Sequence, residues 1–323
     1  MFDLSDLCRA WNLPPVLSMW TPETGAVHRT FLLKTADGNY ALRAYRYAAH
    51  DRWRIASEHA LITYVQAHGL PALSPLPLPN GGSILEHESR FYALFPFAKG
   101  HQIPRGRLTA DEARAMGSFL GKLHQILHTY PHEQVPHRQF TVDLASTLAT
   151  MDTIEKAIRS QPDRSDEDTQ ALAYLAERRA WLTTASPVNV EDFSLLEQQV
   201  IHGDYQEANL FFDDDQVSAV IDWDQSYVAP RAWEVVRTLH YAFKLERTTC
   251  RTFLDAYQRI LPLPPAELEL AAAAYGWKRA HDLWHYQAVY LEGNQRVRAF
   301  FDPGPYIPFA QQWAKLQMAL HNR

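Results

Sequence analysis

The sequence predicts an α+β protein in which a small, β-rich N-terminal lobe precedes a larger, mainly helical lobe. Hairpin signals and one helix occupy the first hundred residues, and helical apolar spacing dominates from Thr109 onward. The character changes near Pro96 to Arg107, so we expect an N-terminal lobe over 1–97 and a C-terminal lobe over 98–323. A chain of 323 residues is long enough for two such units.

The N-terminal lobe contains two predicted hairpins with a helix between them. Apolar runs over Ala26–Lys34 and Tyr40–Tyr47 flank an Asp-Gly turn, which is a strong hairpin signal. Apolar residues at helical spacing predict a helix over His50–His68, and a Gly-Leu-Pro sequence ends it. Ser83–Glu86 and Arg90–Phe95 are expected to form the second hairpin.

The C-terminal lobe is expected to be helical apart from a brief β segment. Thr109 precedes two acidic residues and is a predicted helix N-cap. The polar segment Ser160–Asp168 is expected to be a mobile surface loop. Short strands are predicted over Leu210–Phe212 and Val217–Ile221, and the longest predicted helix runs over Leu268–Tyr290.

Composition excludes several classes of function. Hydrophobic residues make up 46% and charged residues 21%, as in soluble globular proteins. With 31 basic and 37 acidic residues, the net charge of −6 disfavours phosphate-driven nucleic-acid binding. Cys8 and Cys250 are too few for a zinc ribbon or a disulfide framework, and neither a basic signal sequence nor an apolar span of about 20 residues is present. We expect a cytoplasmic protein without membrane or nucleic-acid partners, and composition leaves the oligomeric state open.

One segment carries the residues that point to chemistry. His202-Gly203-Asp204 is followed by Asn209, a short hairpin, and then Asp222. Asp204 and Asn209 lie on the loop that enters the hairpin and Asp222 lies at its far end, so the three side chains can converge. Phosphoryl transfer needs a group that orients the acceptor hydroxyl and oxygen ligands for Mg²⁺. Asp204 fits the first role, and Asn209 and Asp222 fit the second.

This ordered set resembles the aminoglycoside phosphotransferase and choline kinase superfamily of small-molecule kinases. Tyr40–Arg46 is similar to the third strand of that family's N-terminal lobe. Arg43 stands where lysine is commoner in the family, and this arginine most resembles the homoserine-kinase-like branch. The resemblance implies a bilobal protein-kinase-like fold, with ATP and Mg²⁺ as cofactors. It also implies transfer of the γ-phosphate to a hydroxyl of a homoserine-like, amino-alcohol or aminoglycoside acceptor.

The resemblance also assigns nucleotide contacts. Arg43 corresponds by position to the lysine that holds the α- and β-phosphates, and Glu58 corresponds to its partner on the following helix. The residues support this pair independently, because Glu58 faces the apolar side of its helix, where a carboxylate needs a cation. A purely structural ion pair is the alternative interpretation.

Two further nucleotide contacts are expected on the resemblance alone. The phosphate-covering loop corresponds to Glu23–Ala26, in which Gly25 is the single glycine. Phe97 and Ala98 lie at the lobe junction and correspond to the hinge that binds adenine through backbone N–H groups. Pro96 has no N–H, so these two neighbours are the expected donors.

Several alternatives remain open from the sequence. Asp224 is interpreted either as a ligand of a second metal or as the cap of the next turn, and His202 as a structural hydrogen-bonding residue. The pair His281-Asp282 allows a metal-dependent phosphohydrolase. The arginine at position 43 and the glycine-poor loop allow a nucleotide-binding pseudokinase. The aromatic residues allow either a helical core or a cage for a quaternary ammonium group; they are Trp223, Tyr227, Trp233, Tyr241, Trp277, Trp284, Tyr286 and Tyr290.

Overall fold

A five-stranded antiparallel sheet with the strand order β1-β2-β3-β5-β4 forms the N-terminal part of the protein. The computed structural model describes residues 9–22, 28–133, 135–302 and 304–321. Alternate positions are buried on β2, as expected for a strand with one face on a core, whereas β5 is buried at four consecutive residues, Phe91 to Leu94. The strands are β1 (Ser18–Trp20), β2 (Arg29–Lys34), β3 (Asn39–Ala44), β4 (Leu85–His87) and β5 (Arg90–Pro96).

The two predicted hairpins are confirmed within the described residues. β2 pairs with β3 from Arg29↔Ala44 to Lys34↔Asn39, and β4 pairs with β5. Gly38 at the first turn has φ 153° and its carbonyl accepts the N–H of Thr35 at 2.9 Å. On β3, Arg43 lies opposite Ala93 of β5, in the middle of the sheet.

Helix α1 (Arg52–Ala67) confirms the predicted helix between the hairpins. Its buried face carries Ile55, Leu61 and Val65, together with the carboxylate of Glu58. The helix packs against the short turn Trp223–Gln225, which belongs to the C-terminal part of the chain. α1 therefore brings Glu58 close to the predicted metal ligands.

The rest of the chain is mainly helical and is built around the contact between its first helix, Ala110–Leu127, and the later helix Arg247–Ile260. Gly117 of that first helix allows the close approach, because a Cβ there would lie 2.2 Å from the carbonyl oxygen of Phe253. Thr109 caps the same helix with Glu112 in a capping box, as predicted. The helices are α2 (Ala110–Leu127), α3 (Leu144–Arg159), α4 (Asp166–Thr184), α5 (Glu191–Ser194), α6 (Arg231–Tyr241), α7 (Arg247–Ile260), α8 (Pro265–His281), α9 (Trp284–Tyr290) and α10 (Phe309–His321).

Two sequence predictions in this region are wrong in part. The end of the polar segment Ser160–Asp168 is ordered: Ser165 caps α4, and the carboxylate of Asp168 is buried against Tyr290 and Arg298 at 2.8 Å each. The segment was expected to be exposed to solvent, but the Asp168 carboxylate at its end is instead hydrogen-bonded to other parts of the protein.

The long helix predicted over Leu268–Tyr290 is divided between α8 and α9. Arg178 of α4 donates hydrogen bonds to the carbonyls of Arg279, Ala280 and Asp282, and these bonds satisfy the end of α8. The break rotates Trp284 outward, where it is 46% exposed rather than part of the core.

Two pairs of short strands in the C-terminal part position the predicted catalytic segment. β6 (Gln198–Ile201) pairs with β9 (Tyr227–Pro230), and β7 (Leu210–Asp213) forms a hairpin with β8 (Gln216–Val220). Residues 202–209 connect the two pairs, and Asp222 follows β8. Within the residues described, no helix is both long and apolar enough to cross a membrane.

Candidate active site

The loop after β6 turns sharply at Gly203, and this turn presents Asp204. Gly203 has φ 81°, and a Cβ at this position would lie 2.0 Å from the carbonyl oxygen of Gln225. Glycine is required there both by the backbone conformation and by the close approach. The turn therefore fixes where the Asp204 side chain leaves the backbone.

A buried carboxylate, which the sequence analysis missed, holds this turn from below. Glu234 of α6 accepts the backbone N–H groups of His202 at 3.1 Å and Gly203 at 2.6 Å, and Nε2–H of His124 at 3.0 Å. Burial alone would raise the pKa of Glu234, but the His124 hydrogen bond and the other donors outweigh it and lower that pKa. The charged carboxylate is thus the form that the fold stabilises.

The carboxylate of Asp204 is held by three side-chain donors. Gln206 Nε2 lies 3.0 Å from both carboxylate oxygens, and Asn209 Nδ2 lies 2.7 Å from Oδ2. Arg237 of α6 donates through Nη2 to Oδ1. The Asp204 side chain is 19% exposed, so solvent still reaches it. Gln206 and Arg237 were not predicted, because nothing in their local sequence distinguishes them from surface residues.

The structure brings the predicted metal-binding residues to the same place as Asp204. Ile221 N–H donates to the carbonyl of Asn209 at 3.0 Å, which joins the loop to the segment after β8. His202 supports this junction: its Nδ1 accepts the N–H of Asp204 at 3.2 Å, and its Nε2 donates to the carbonyl of Ile221 at 3.0 Å. These bonds fit the structural interpretation of His202. They also place Asp222 beside Asn209.

The donor set at this junction fits a small, hard cation. Both side-chain hydrogen bonds of Asn209 use Nδ2, which leaves Oδ1 as a ligand atom, and the Asp222 carboxylate is 40% exposed toward the cleft. One amide and one carboxylate oxygen are what Mg²⁺ takes from a protein when phosphates and water supply its other ligands. Among the described residues, no group of three or more His, Cys, Asp or Glu side chains could hold a metal, at this junction or at His281, so the phosphohydrolase alternative gains no support.

Arg43 connects the sheet to these carboxylates. Its Nη1 lies 3.0 Å from Glu58 Oε1, as the sequence predicted, and its Nη2 lies 2.6 Å from Asp222 Oδ1 and 3.9 Å from Asp224 Oδ1. Burial, reinforced by Asp224 and Asp222, raises the pKa of Glu58 to about 7 although Arg43 opposes the shift. Burial also raises the pKa of the Asp222 carboxyl, although the positive charge of Arg43 opposes this shift.

Asp224 is buried beside His28. Its side chain is 3% exposed, and Oδ2 lies 3.3 Å from His28 Nε2. The ring nitrogen Nδ1 of His28 accepts the N–H of Arg46 at 3.3 Å, which turns Nε2 of the ring toward Asp224. Burial alone would raise the pKa of Asp224, but the neighbouring His28 and Arg43 lower it. These contacts favour a positioning role, and metal binding by Asp224 stays a prediction without direct support.

The expected nucleotide contacts are placed only in part. Sheet pairing ends at Tyr40↔Pro96, so the backbone N–H groups of Phe97 and Ala98 lie beyond the ladder. The linker then joins the catalytic hairpin through reciprocal backbone bonds between His101 and Phe212, at 2.9 and 3.0 Å. Gly25 lies outside the described residues.

Comparison with known proteins agrees with this geometry. A family model described as "Phosphotransferase enzyme family" matches residues 21–275. The homoserine kinase of Bradyrhizobium diazoefficiens is 27% identical over 274 residues, which is 82% of this chain and 77% of that protein. The stress response kinase A of Salmonella choleraesuis (strain SC-B67) is 24% identical over 254 residues, which is 77% of this chain and 71% of that protein.

A solved structure shows the same fold. The amicoumacin kinase hAmiN, in complex with AMP-PNP and Ca²⁺, superposes with a TM-score of 0.61 at 14% identity, covering 99% of this chain and 92% of that one. The predicted bilobal fold is confirmed by this likeness, and that complex agrees with the expected ATP and divalent cation. Because the family model covers most of the sequence, the chain belongs to the phosphotransferase enzyme family.

Proposed function

We propose that this protein is a kinase that transfers the γ-phosphate of ATP to a hydroxyl group of a small molecule, with Mg²⁺ as the divalent cation. The observation that carries the proposal is the convergence of Asp204, Asn209 and Asp222 from two separate segments. Asn209 contacts the Asp204 carboxylate at 2.7 Å, and Ile221 bonds to the Asn209 carbonyl at 3.0 Å. Family membership supplies the reaction class.

Asp204 is the proposed acceptor of the hydroxyl proton. The acceptor oxygen forms a bond to the γ-phosphorus, and the bond from that phosphorus to the β–γ bridging oxygen breaks, releasing ADP. The proton of the hydroxyl passes to a carboxylate oxygen of Asp204. Gln206 and Arg237 hold that carboxylate in one orientation, so the acceptor meets a fixed base.

The protein's contribution to the nucleotide site is proposed at four places. Arg43, fixed by Glu58, would contact the α- and β-phosphates. Asn209 and Asp222 would bind Mg²⁺, which supplies positive charge to the phosphates during transfer. Phe97 and Ala98 would donate backbone N–H groups to adenine, and Gly25 is expected in the phosphate-covering loop.

A nucleotide-binding module without phosphotransfer is the second candidate. The observation that favours it is the 2.6 Å pair between Arg43 and Asp222, which ties the predicted phosphate ligand to the predicted metal ligand. The three donors on Asp204 favour catalysis instead, because a binding module has no need of an oriented base.

Replacing Asp222 with alanine tests the proposal. We expect Mg²⁺-dependent ADP release with an acceptor panel of homoserine, choline, ethanolamine, methylthioribose and aminoglycosides to fall at least about a hundredfold. Asp213→Ala is the matched control, because Asp213 is exposed on β7 and contacts neither Asp204 nor Arg43. Equal turnover by the two variants would contradict the metal role. Nucleotide binding without ADP release on any acceptor would favour the binding module.

A further inference from the structure

We propose that the acceptor carries an anionic group, a carboxylate or a phosphate, which is bound by a cluster of cations next to Asp204. This inference rests on the proposed function and concerns the same cleft. The cation cluster consists of Arg237, Lys244 and Arg279, which surround the ring of Tyr241. None of the three cationic residues was singled out for a ligand in the sequence.

The cation cluster begins at the proposed base itself. Arg237 donates to Asp204 through Nη2, and its Cζ lies 4.6 Å from the ring centroid of Tyr241, one helical turn further along α6. From α8, Arg279 donates through Nη1 to the Tyr241 hydroxyl at 2.9 Å, with its Cζ 5.5 Å from the ring. Lys244 Nζ lies 5.8 Å from the same ring. Three positive charges thus gather around one side chain at the edge of the site.

Among the described residues, only one member of this cluster forms an ion pair, which is Arg237 with Asp204. Within the described part of the chain, neither Lys244 nor Arg279 has a carboxylate oxygen within 4.0 Å, and Arg237 Nη1 is buried without a hydrogen-bond partner. Glu207, Asp282 and Asp302 are near enough to affect the pKa values of cluster members, but they make no direct pair with them. A buried guanidinium donor without a partner is costly, so it indicates a missing acceptor atom.

The backbone at the end of α6 brings Lys244 into the cluster. Lys244 and Leu245 have φ values of 52° and 57°, and the N–H of Leu245 donates to the carbonyl of Leu239 at 3.0 Å. This turn places Lys244 beside the other cations although like charges repel. Burial and nearby Arg105 lower the pKa of Lys244, and burial, Arg279 and Lys244 lower that of His240. Positive charge is therefore concentrated here.

The geometry also places the cation cluster next to the proposed base. Arg237 contacts both the Asp204 carboxylate and the ring of Tyr241. An acceptor with its hydroxyl at Asp204 could therefore place an anionic group at the cation cluster through a short carbon chain. Arginine pairs bidentately with carboxylates and phosphates, whereas a polycationic acceptor would be repelled.

A set of ligands with one carbon skeleton tests this inference. Glycerate, glycerol 3-phosphate, glycerol and 3-amino-1,2-propanediol differ mainly in charge, and calorimetry in the presence of AMP-PNP and Mg²⁺ gives their affinities. We expect one or both anions to bind at least about tenfold more tightly than glycerol, and the amine more weakly than glycerol. Comparison of glycerate with glycerol 3-phosphate distinguishes a carboxylate site from a phosphate site.

Variants assign the effect to the cluster. Arg279→Met and Lys244→Met should reduce the preference for anions to near unity while nucleotide affinity is unchanged. Lys156→Met is the matched control, because Lys156 is exposed on α3. Equal affinity for all four compounds, including no measurable binding of any, overturns the inference, and so does tighter binding of the amine.

The outcomes separate this inference from the proposed function. Anion preference without ADP release from any acceptor supports the cation cluster and contradicts the kinase. Phosphotransfer to neutral or cationic acceptors without anion preference supports the kinase and overturns the cation cluster.

Discussion

Glu234→Gln should be among the most damaging conservative substitutions in the protein. Glu234 accepts three N–H groups with two oxygens, and its side chain is 1% exposed. Glutamine keeps one acceptor oxygen, and its NH₂ group then faces at least one of the backbone donors at His202 and Gly203. An unpaired buried N–H costs about 1–3 kcal/mol, and the remaining bonds lose their charge assistance. We expect the free energy of unfolding to fall by about 3–5 kcal/mol.

Urea denaturation followed by tryptophan fluorescence measures this change, with Glu292→Gln as control because Glu292 is exposed. Phosphotransfer by the folded variant should fall as well, since the turn at Gly203 positions Asp204. If the free energies of unfolding of the Glu234 and Glu292 variants differ by less than about 1 kcal/mol, Glu234 does not stabilise the loop at Gly203 and this reasoning is refuted.

Two further predictions concern backbone space and pH. Gly203→Ala should abolish phosphotransfer and lower the denaturation midpoint, because its Cβ would lie 2.0 Å from the Gln225 oxygen; an active, stable variant would show that the turn can move. Burial, with help from Arg178, lowers the pKa of His285 to about 3, so the unfolded chain binds the extra proton below about pH 6.5 and stability falls as the pH falls. Between pH 6 and 4, His285→Gln should therefore remove up to about 1.4 kcal/mol per pH unit of the loss in the free energy of unfolding. His321 is exposed, so His321→Gln should leave that loss unchanged. Parallel curves of stability against pH for the His285 variant and the unmodified protein would contradict the assignment.

The sequence predicted the parts of the site that a local pattern encodes. Asp204, Asn209 and Asp222 follow turn and strand signals in a fixed order, so their convergence could be expected before any coordinates. The pair between Arg43 and Glu58 was also predictable, because a carboxylate on the apolar face of a helix requires a cation. The assigned roles, and the division of lobes at residue 97, stay predictions.

The contacts that the sequence did not predict depend on partners distant along the chain. Glu234 and Arg237 lie on a helix that looks amphipathic by itself, and only tertiary packing brings them to the loop 30 residues earlier. The break between α8 and α9 depends on Arg178, about 100 residues away, and carries no glycine or proline signal. Periodicity alone therefore predicted one helix where there are two.

The two ion pairs of Arg43 couple the position of helix α1 to that of the segment after β8. One guanidinium holds Glu58 with one arm and Asp222 with the other, so a displacement of either carboxylate is transmitted to its counterpart through a rigid plane. A lysine ammonium has no such plane, and its flexible stem would absorb the displacement. Arginine at this position makes the orientation of helix α1 and the conformation of the segment after β8 mechanically interdependent.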